Sequence, residues 1–388
     1  MATPDYFDYA AATPLDPRVL EAMQPYFSER FHNPSATYGP ARQVSADLQA
    51  ARAKVAHWLG VRPSEVIFTA GGSEADNLAI HGVMRSPLAH GGNLVVSAIE
   101  HDAVLHPAAR YDMRQAAATP QGFVDVADLL SKVDDDTVLV GVMYANNEVG
   151  TIQPLREIAA GLAKVREARR AQGNARPLYF HTDACQAAQY LDLHVARLGV
   201  DMLTLNGGKI YGPKQSGALY VRGGISLQPL IDGGGQENGL RSGTENVAAC
   251  IGLSTALDLV QSARHDEVRR MQQLQQAFFQ GLAQQVPQAV INGSPKKRLP
   301  NNIHLTVPGI DNERVLVQLE AAGVLAAAGS ACSASSQEAS HVLQAMGISE
   351  AAAQASLRFS MGRQTDEAAV QRAITALVAV VAATPKSL

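Results

Sequence analysis

Residues Asp201 to Tyr220 read DMLTLNGGKIYGPKQSGALY, a stretch in which a short apolar run ends in two glycines and a lysine. The run predicts a buried strand, and the two glycines remove side-chain bulk where a flat ring would approach the backbone. A lysine at the end of such a strand, as Lys209 is, can have a lowered pKa and act as a nucleophile. A solvated lysine after a glycine turn is the simpler interpretation of this stretch alone. Lys214 is a second candidate, but it follows a Gly-Pro turn and is expected to be more exposed.

The composition is that of an ordinary globular protein, with 388 residues, 46% hydrophobic residues, 18% charged residues and a net charge of −4. This length suggests two domains, or one large domain with an appendage. Lys and Arg are not in excess, so the charge does not favour nucleic-acid binding. The N-terminus does not have the pattern of a secretory signal. The apolar run 373–383 is shorter than the roughly 20 residues of a membrane span and predicts a buried helix. We therefore expect a cytoplasmic protein with neither nucleic acid nor membrane as a direct partner.

The three cysteines, Cys185, Cys250 and Cys332, cannot form a disulfide framework and show no paired spacing for a metal site. This cysteine usage favours a reducing compartment, in which a cysteine of functional interest has a chemical role and not a structural one. Cys332 lies in AAAGSACSASS (326–336), where small residues suit a mobile loop, although a tight helix-packing seam is an alternative. The other two cysteines lie in more apolar settings and are expected to be inert.

Apolar strand patterns alternate with helical patterns from Val66 to Val221, which predicts an α/β fold with a mainly parallel sheet covered by helices. After Gly243 two long helical patterns precede shorter strands, which indicates a second, α+β unit. We place a large domain at 15–260 and a small domain at 1–14 plus 261–388, the latter carrying the loop with Cys332.

Polar residues follow the predicted strands at five places, and ligands of open parallel sheets bind beyond these carboxyl ends. The residues are Ser73, His101, Asn147, Asp183 with Gln186, and Lys209. Gly72 and Ser73 open a helix, where backbone N–H groups and a hydroxyl can hold a phosphate. Asp183 could keep a ring nitrogen protonated, and Lys209 could form a Schiff base. A phosphate cradle, a carboxylate and a lysine are the groups that pyridoxal 5'-phosphate requires.

The motifs around these residues resemble those of pyridoxal-phosphate cysteine desulfurases of the NifS/IscS type, within the class V aminotransferases. They cover nearly the whole chain and read FDYAAATPLDPRV, NPSA, EVIFTAGGSEADNLAI, IEHDAV, NNEVG, HTDACQA, GGKIYGPK, GGGQENGLRSGTEN, GSACSASS and LRFSMGR. GSACSASS separates desulfurases from plain aminotransferases of the same fold. The resemblance implies a PLP-dependent transferase (aspartate-aminotransferase-like) fold, with a large domain and a smaller α+β domain.

The resemblance also implies a reaction and its residues. L-cysteine would become L-alanine, and its sulfur would pass as a persulfide on Cys332 to an acceptor protein, for iron–sulfur cluster assembly or thio-cofactor and tRNA thiolation. Lys209 would bear the cofactor and His101 would stack on its ring as an acid–base group. The other implied cofactor contacts are Asp183 at the ring nitrogen, Gln186 at the ring oxygen, Gly72 and Ser73 at the phosphate, and Thr244 from the partner subunit of a homodimer. The implied substrate contacts are Arg358, Asn147 and Asn33.

The chain departs from this family pattern in two places. Many relatives carry Ser-Gly-His before the lysine, where this chain has Asn206-Gly207-Gly208, and we expect Asn206 to substitute as a donor. The sequence stops at Leu388, so the C-terminal extension that docks a cluster-assembly scaffold in IscS-like members is expected to be missing. This leaves the sulfur acceptor open between an iron–sulfur scaffold and a tRNA-thiolation enzyme.

Other functions are compatible with the same fold. A selenocysteine lyase and an aminotransferase are the nearest alternatives, and Cys332 in its motif argues against the aminotransferase. A non-catalytic sulfur-relay protein is an alternative from another class. Retention of both Lys209 and Asp183 argues against it.

Overall fold

The computed structural model describes residues 4–329 and 339–383. The strands in this part of the chain are β1 (Asp5–Tyr6), β2 (Val66–Thr69), β3 (Asn93–Ser97), β4 (Met113–Ala116), β5 (Thr137–Gly141), β6 (Tyr179–Asp183), β7 (Met202–Asn206), β8 (Gly217–Val221), β9 (Val290–Ile291), β10 (Asn302–Thr306), β11 (Val324–Leu325) and β12 (Ser356–Ser360). The helices are α1 (Pro17–Met23), α2 (Pro25–Ser28), α3 (Gly39–Leu59), α4 (Gly72–Met84), α5 (Asp102–Ala108), α6 (Val126–Ser131), α7 (Leu155–Ala171), α8 (Val195–Leu198), α9 (Val247–Ser262), α10 (Arg264–Gln285), α11 (Asn312–Ala321), α12 (His341–Ala345), α13 (Glu350–Ala353) and α14 (Glu367–Ala383).

Seven of the described strands form the main sheet, in the order β2-β8-β7-β6-β5-β3-β4. Neighbouring strands from β4 to β7 are parallel, and β8 is antiparallel to both β7 and β2. The reversal follows from the short Gly-Pro turn between β7 and β8, because a parallel connection would need a long crossover. The prediction of a mainly parallel sheet is thus confirmed.

The sheet is buried on both faces, as the near-continuous apolar strands predict. Val95 of β3 belongs to one hydrophobic cluster, whereas Leu94 and Val96 belong to another, because successive side chains of a strand point to opposite faces. Helix α4 packs on β7 and β8. The carboxyl edge of the sheet therefore lies between the two packed hydrophobic layers that cover its faces.

The N-terminal segment joins the C-terminal part of the chain. Strand β1 pairs with β11, and Phe7 packs its ring edge-on against Phe278 and Phe359. Strands β12, β10 and β9 form a second, antiparallel sheet. The predicted division at residue 260 falls inside the last turn of α9 and remains a prediction.

The apolar C-terminal run forms the buried side of α14, which packs against α10 and α11. Val370, Ile374 and Leu377 lie on the buried side at helical spacing. Within residues 4–329 and 339–383 no helix has the length and apolar character to cross a membrane.

Candidate active site

A pocket at the carboxyl edge of the sheet brings together most of the predicted site residues. Those that line it are Gly72, Ser73, His101, Asn147, Asp183, Gln186, Asn206, Lys209 and Arg358. The parallel strands β3, β5, β6 and β7 and the loops after them supply six of these nine positions, because the carboxyl ends of parallel strands meet at one edge. Gly72 and Ser73 follow β2, and Arg358 lies on β12.

Lys209 ends a short 3-10 turn, Gly207–Lys209, directly after β7. The Asn206 side chain caps this turn by accepting a hydrogen bond from the Gly208 N–H at 3.0 Å. The Lys209 Nζ donates to the carbonyls of Ala10 and Ala11 at 2.8 and 2.6 Å. Burial lowers the pKa of Lys209, and the positive charge of Arg358 acts in the same direction. The amine is therefore suited to act as a nucleophile and a base.

Lys214 lies in different surroundings five residues later. It is exposed, as predicted, and its Nζ donates to the Thr13 carbonyl. It does not line the pocket. The geometry thus favours Lys209 over Lys214 as the reactive amine.

Asp183 is the last residue of β6 and is 8% exposed. Its Oδ1 accepts a hydrogen bond from the Cys185 N–H at 2.8 Å, which holds the carboxylate in the pocket wall. Gln186 follows on the same turn, and its Nε2 donates to the Ala10 carbonyl at 2.9 Å. Both side chains are thereby oriented by backbone groups.

His101 caps the N-terminus of α5, where its Nδ1 accepts a hydrogen bond from the Ala103 N–H at 3.0 Å. Because Nδ1 is the acceptor, the neutral ring carries its proton on Nε2. The preceding Glu100 is buried and accepts hydrogen bonds from Ser97 Oγ and the Met143 N–H. Burial raises the pKa of Glu100 to about 8. The capping contact thus orients the His101 ring at the pocket.

The N-terminus of α4 provides an anion cradle. Gly71 has a φ of 141°, a conformation that favours glycine, and no side chain among the described residues caps the helix. A side chain at position 72 would place its Cβ 2.7 Å from Cys185 Sγ, so Gly72 permits this close packing. The uncapped N–H groups and the hydroxyl of Ser73 can together hold a phosphate.

Arg358 lies on β12 of the second sheet and is 1% exposed. Its Nη1 donates to the Asn147 carbonyl at 3.1 Å, and its Nη2 donates to Asp8 Oδ1 at 2.8 Å. Its Nε has no hydrogen-bond partner within the described part of the chain. A buried guanidinium with a free donor is suited to bind a carboxylate.

Three predicted residues lie elsewhere. Asn33 and Thr244 are exposed and do not line the pocket. Cys332 lies outside the described residues. The described residues that flank it contact the pocket region, since Ala327 pairs with the backbone of Arg358 and the Ser340 hydroxyl donates to Glu148 at 2.5 Å.

Several pocket residues were absent from the predicted site. Ala10 and Ala11 lie in the FDYAAATP motif, which could have indicated that they belong to the site. Asp76 lies in a helical pattern, which gave no reason to predict it as a pocket residue. Cys185 is buried, and burial raises its pKa, as it does for Cys250. Both thiols are buried, but Cys185 lines the pocket near Asp183, Asp76 and Lys209, so the apolar setting that was predicted for Cys185 is wrong.

Comparisons with known proteins identify relatives of this chain. The aminotransferase class-V family matches residues 5–373. Cysteine desulfurase IscS of Dictyoglomus turgidum is 40% identical over 365 residues, which cover 93% of this chain and 90% of that protein. A solved NifS-like protein has a TM-score of 0.89 at 30% identity and covers 98% of this chain and 100% of its own. A solved structure of SspA in complex with cysteine has a TM-score of 0.78 at 35% identity, and the match covers 92% of this chain and 98% of that chain.

Proposed function

This chain belongs to the aminotransferase class-V family, as a pyridoxal-phosphate enzyme of the cysteine desulfurase type, and we propose that it moves sulfur from L-cysteine to Cys332 with the residues of this pocket. The family resemblance seen in the sequence motifs is confirmed by these matches. The observation that carries the residue assignment is the convergence of Lys209, Asp183 and the uncapped start of α4 on one pocket.

The donor set of the pocket fits pyridoxal 5'-phosphate. Lys209 would bear it, Asp183 would face its ring nitrogen and Gln186 its ring oxygen. The N–H groups at the start of α4, with Ser73 and Asn206, would hold its phosphate. When bound, the cofactor supplies an electron sink for charge that develops at the substrate α-carbon.

The remaining pocket residues bind the substrate carboxylate or transfer protons. Arg358 and Asn147 bind the substrate carboxylate, which points the α-hydrogen towards Lys209. With a lowered pKa, a free Lys209 amine accepts this proton near neutral pH. His101, with a proton on Nε2, would return one to carbon. Asp183, Gln186 and Lys209, which form the pocket floor, are held by hydrogen bonds with backbone groups.

Sulfur transfer requires a thiolate that can reach the substrate. The Cys332 thiolate attacks the substrate sulfur, the Cβ–S bond breaks, and the carbon takes up a proton, so that a persulfide and alanine result. The contacts of Ala327 with Arg358 and of Ser340 with Glu148, which follows Asn147, support this assignment, because Arg358 and Asn147 line the pocket.

The proposal also includes a partner subunit, a further substrate contact, a sulfur acceptor and the domain bounds. A homodimer would bring Thr244 of one subunit to the phosphate of the other, and exposure of Thr244 outside its own pocket supports this. Asn33 would join the substrate site. The acceptor would be a cytoplasmic protein of iron–sulfur assembly or tRNA thiolation. The large domain would span 15–260, and the small domain would combine 1–14 with 261–388.

Incubation of the holoenzyme with L-cysteine tests the proposal. Mass spectrometry should find one extra sulfur on Cys332, and alanine should accumulate. Cys332→Ser should bind cysteine but yield neither product, whereas Cys250→Ala, which removes a buried thiol outside the pocket, should yield both. An extra sulfur mapped to Cys185 or Cys250 would refute the role of Cys332. Faster turnover of L-selenocysteine in a parallel assay would instead indicate a selenocysteine lyase.

A further inference from the structure

Asp76 is a buried acid in the pocket that the proposed reaction does not use. It lies in the first half of α4, is 2% exposed and lines the pocket together with Asp183. Its Oδ1 has no hydrogen-bond partner among residues 4–329 and 339–383. Such an atom is rare in a folded protein and calls for a physical explanation.

No lysine or arginine among the described residues forms an ion pair with Asp76, although Lys209 lines the same pocket. His181 Nε2 lies 3.5 Å from Asp76 Oδ1 and 3.0 Å from the Thr204 hydroxyl. Burial lowers the pKa of His181 to about 4, so its ring is neutral. The other ionisable neighbours that act on Asp76 are acids, first Asp183 and then Glu100.

An ionised Asp76 would therefore be a second buried anion beside Asp183. Burial raises the pKa of Asp76 well above its usual range, and the negative charge of Asp183 adds to this effect. The Thr204 hydroxyl opposes the shift but is a single neutral donor. Two neighbouring carboxylates in a dry site retain a proton between them.

We propose that Asp76 is held as a neutral acid, so that Asp183 is the single negative charge that the pocket floor presents to the cofactor ring. The acid proton of Asp76 would lie in a chain of neutral hydrogen bonds with Thr204 and His181. Asp76 is in this respect a positioning residue, which leaves Asp183 as the charged member of the pair. The inference rests on the proposed function for the identity of the ring, but the protonation state of Asp76 does not depend on it.

Infrared difference spectroscopy of the holoenzyme at neutral pH tests the protonation state directly. The wild-type minus Asp76→Asn spectrum should contain the carbonyl stretch of a neutral carboxylic acid. Loss of carboxylate bands alone would overturn the proposal. If Asp76→Asn does not fold, carbon-13 NMR of wild-type protein labelled at aspartate carboxyls gives the same information. At least one aspartate should then show the shift of a neutral acid at pH 7, and finding none would overturn the proposal.

Cofactor affinity provides a second readout with a matched control. Asparagine is a neutral, isosteric replacement, so Asp76→Asn should change the dissociation constant of pyridoxal 5'-phosphate by less than about threefold. The same substitution at Asp183 removes the single charge and should weaken binding by about tenfold or more. Equal weakening in both variants would show that Asp76 is charged. Cysteine turnover is measured separately, so failure of the desulfurase assignment would be visible in wild-type protein and would leave the infrared result intact.

Discussion

The pocket floor and the exposed segments around Asn33 and Thr244 differ in what surrounds them. Asp183 and Lys209 follow buried strands and are held by hydrogen bonds from the same chain. Asn33 and Thr244 lie on the surface, away from the pocket. The contrast shows that one chain builds the floor, whereas Asn33 and Thr244, the predicted rim of the site, do not line the pocket of their own chain. The proposed homodimer would supply them from the partner subunit.

The surface near Asn33 has the character of a covered face. Phe27, Phe31 and Tyr38 are 64%, 67% and 52% exposed, which is unusual for large apolar side chains so close in sequence. We expect the proposed homodimer to bury these rings. The following substitutions compare the floor with the rim, in order of decreasing effect.

The largest effect is expected at the lysine of the floor. Lys209→Ala should remove the visible absorption of the lysine-bound cofactor and lower turnover by about 10³-fold, because the variant loses both attachment and the base. Lys214→Ala should keep the absorption, since that side chain is exposed. Spectra and alanine production of the two variants provide the measurement. Loss of the band in the Lys214 variant alone would reverse the assignment.

Arg358→Lys should raise the KM for L-cysteine by tenfold to a hundredfold, with a smaller change in kcat. The substitution keeps the charge but loses the forked geometry, and one charge-assisted hydrogen bond is worth roughly 1.5–3 kcal/mol. Thermal unfolding of the variant is the control, because Arg358 also pairs with Asp8. An unchanged KM in a folded variant would place the substrate carboxylate elsewhere.

Asn206→Ala should speed cofactor release by about tenfold in the absence of substrate. Asn206 lines the pocket beside Gly208, and the variant loses both a phosphate donor and the cap of the Lys209 turn. Decay of the cofactor absorption after dilution measures the rate. Equal rates in the two proteins would mean that other groups hold the phosphate.

Mixed dimers test whether the rim is shared between chains. Lys209→Ala and Thr244→Ala proteins should each be impaired, while refolding them together should restore roughly a quarter of wild-type activity, because random pairing leaves one intact site in half of the dimers. Mixing either variant with itself is the control. A mixture with no regained activity would argue that Thr244 acts within its own chain or has no role.

The smallest effect concerns pH. A base works only when neutral, so turnover should fall as pH drops through the pKa of Lys209, which burial and Arg358 both lower. Arg358→Gln removes the positive charge and should move this acidic limb to higher pH by about one unit or less. A pH–rate profile at saturating cysteine measures the limb. Movement to lower pH would contradict the sign of this interaction.

The floor of the pocket was predictable because its residues follow strands. Ser73, His101, Asp183 and Lys209 each come directly after an apolar run, and a parallel sheet places such positions at one edge whatever the details of packing. The strand and helix pattern of the main sheet followed from the same alternation. Local sequence was sufficient for these residues because the position of each side chain depends only on where one strand ends.

Tertiary structure alone decided the contacts that join distant parts of the chain. Lys209 Nζ is held by carbonyls 198 and 199 residues away, and Arg358 pairs with Asp8 across 350 residues. Asp76 reads as one more polar residue in a helix, and its burial beside Asp183 appears only once α4 packs on the sheet. Burial and charge proximity are properties of the packed chain, so the pKa values that suit these groups to chemistry could not be read from the sequence.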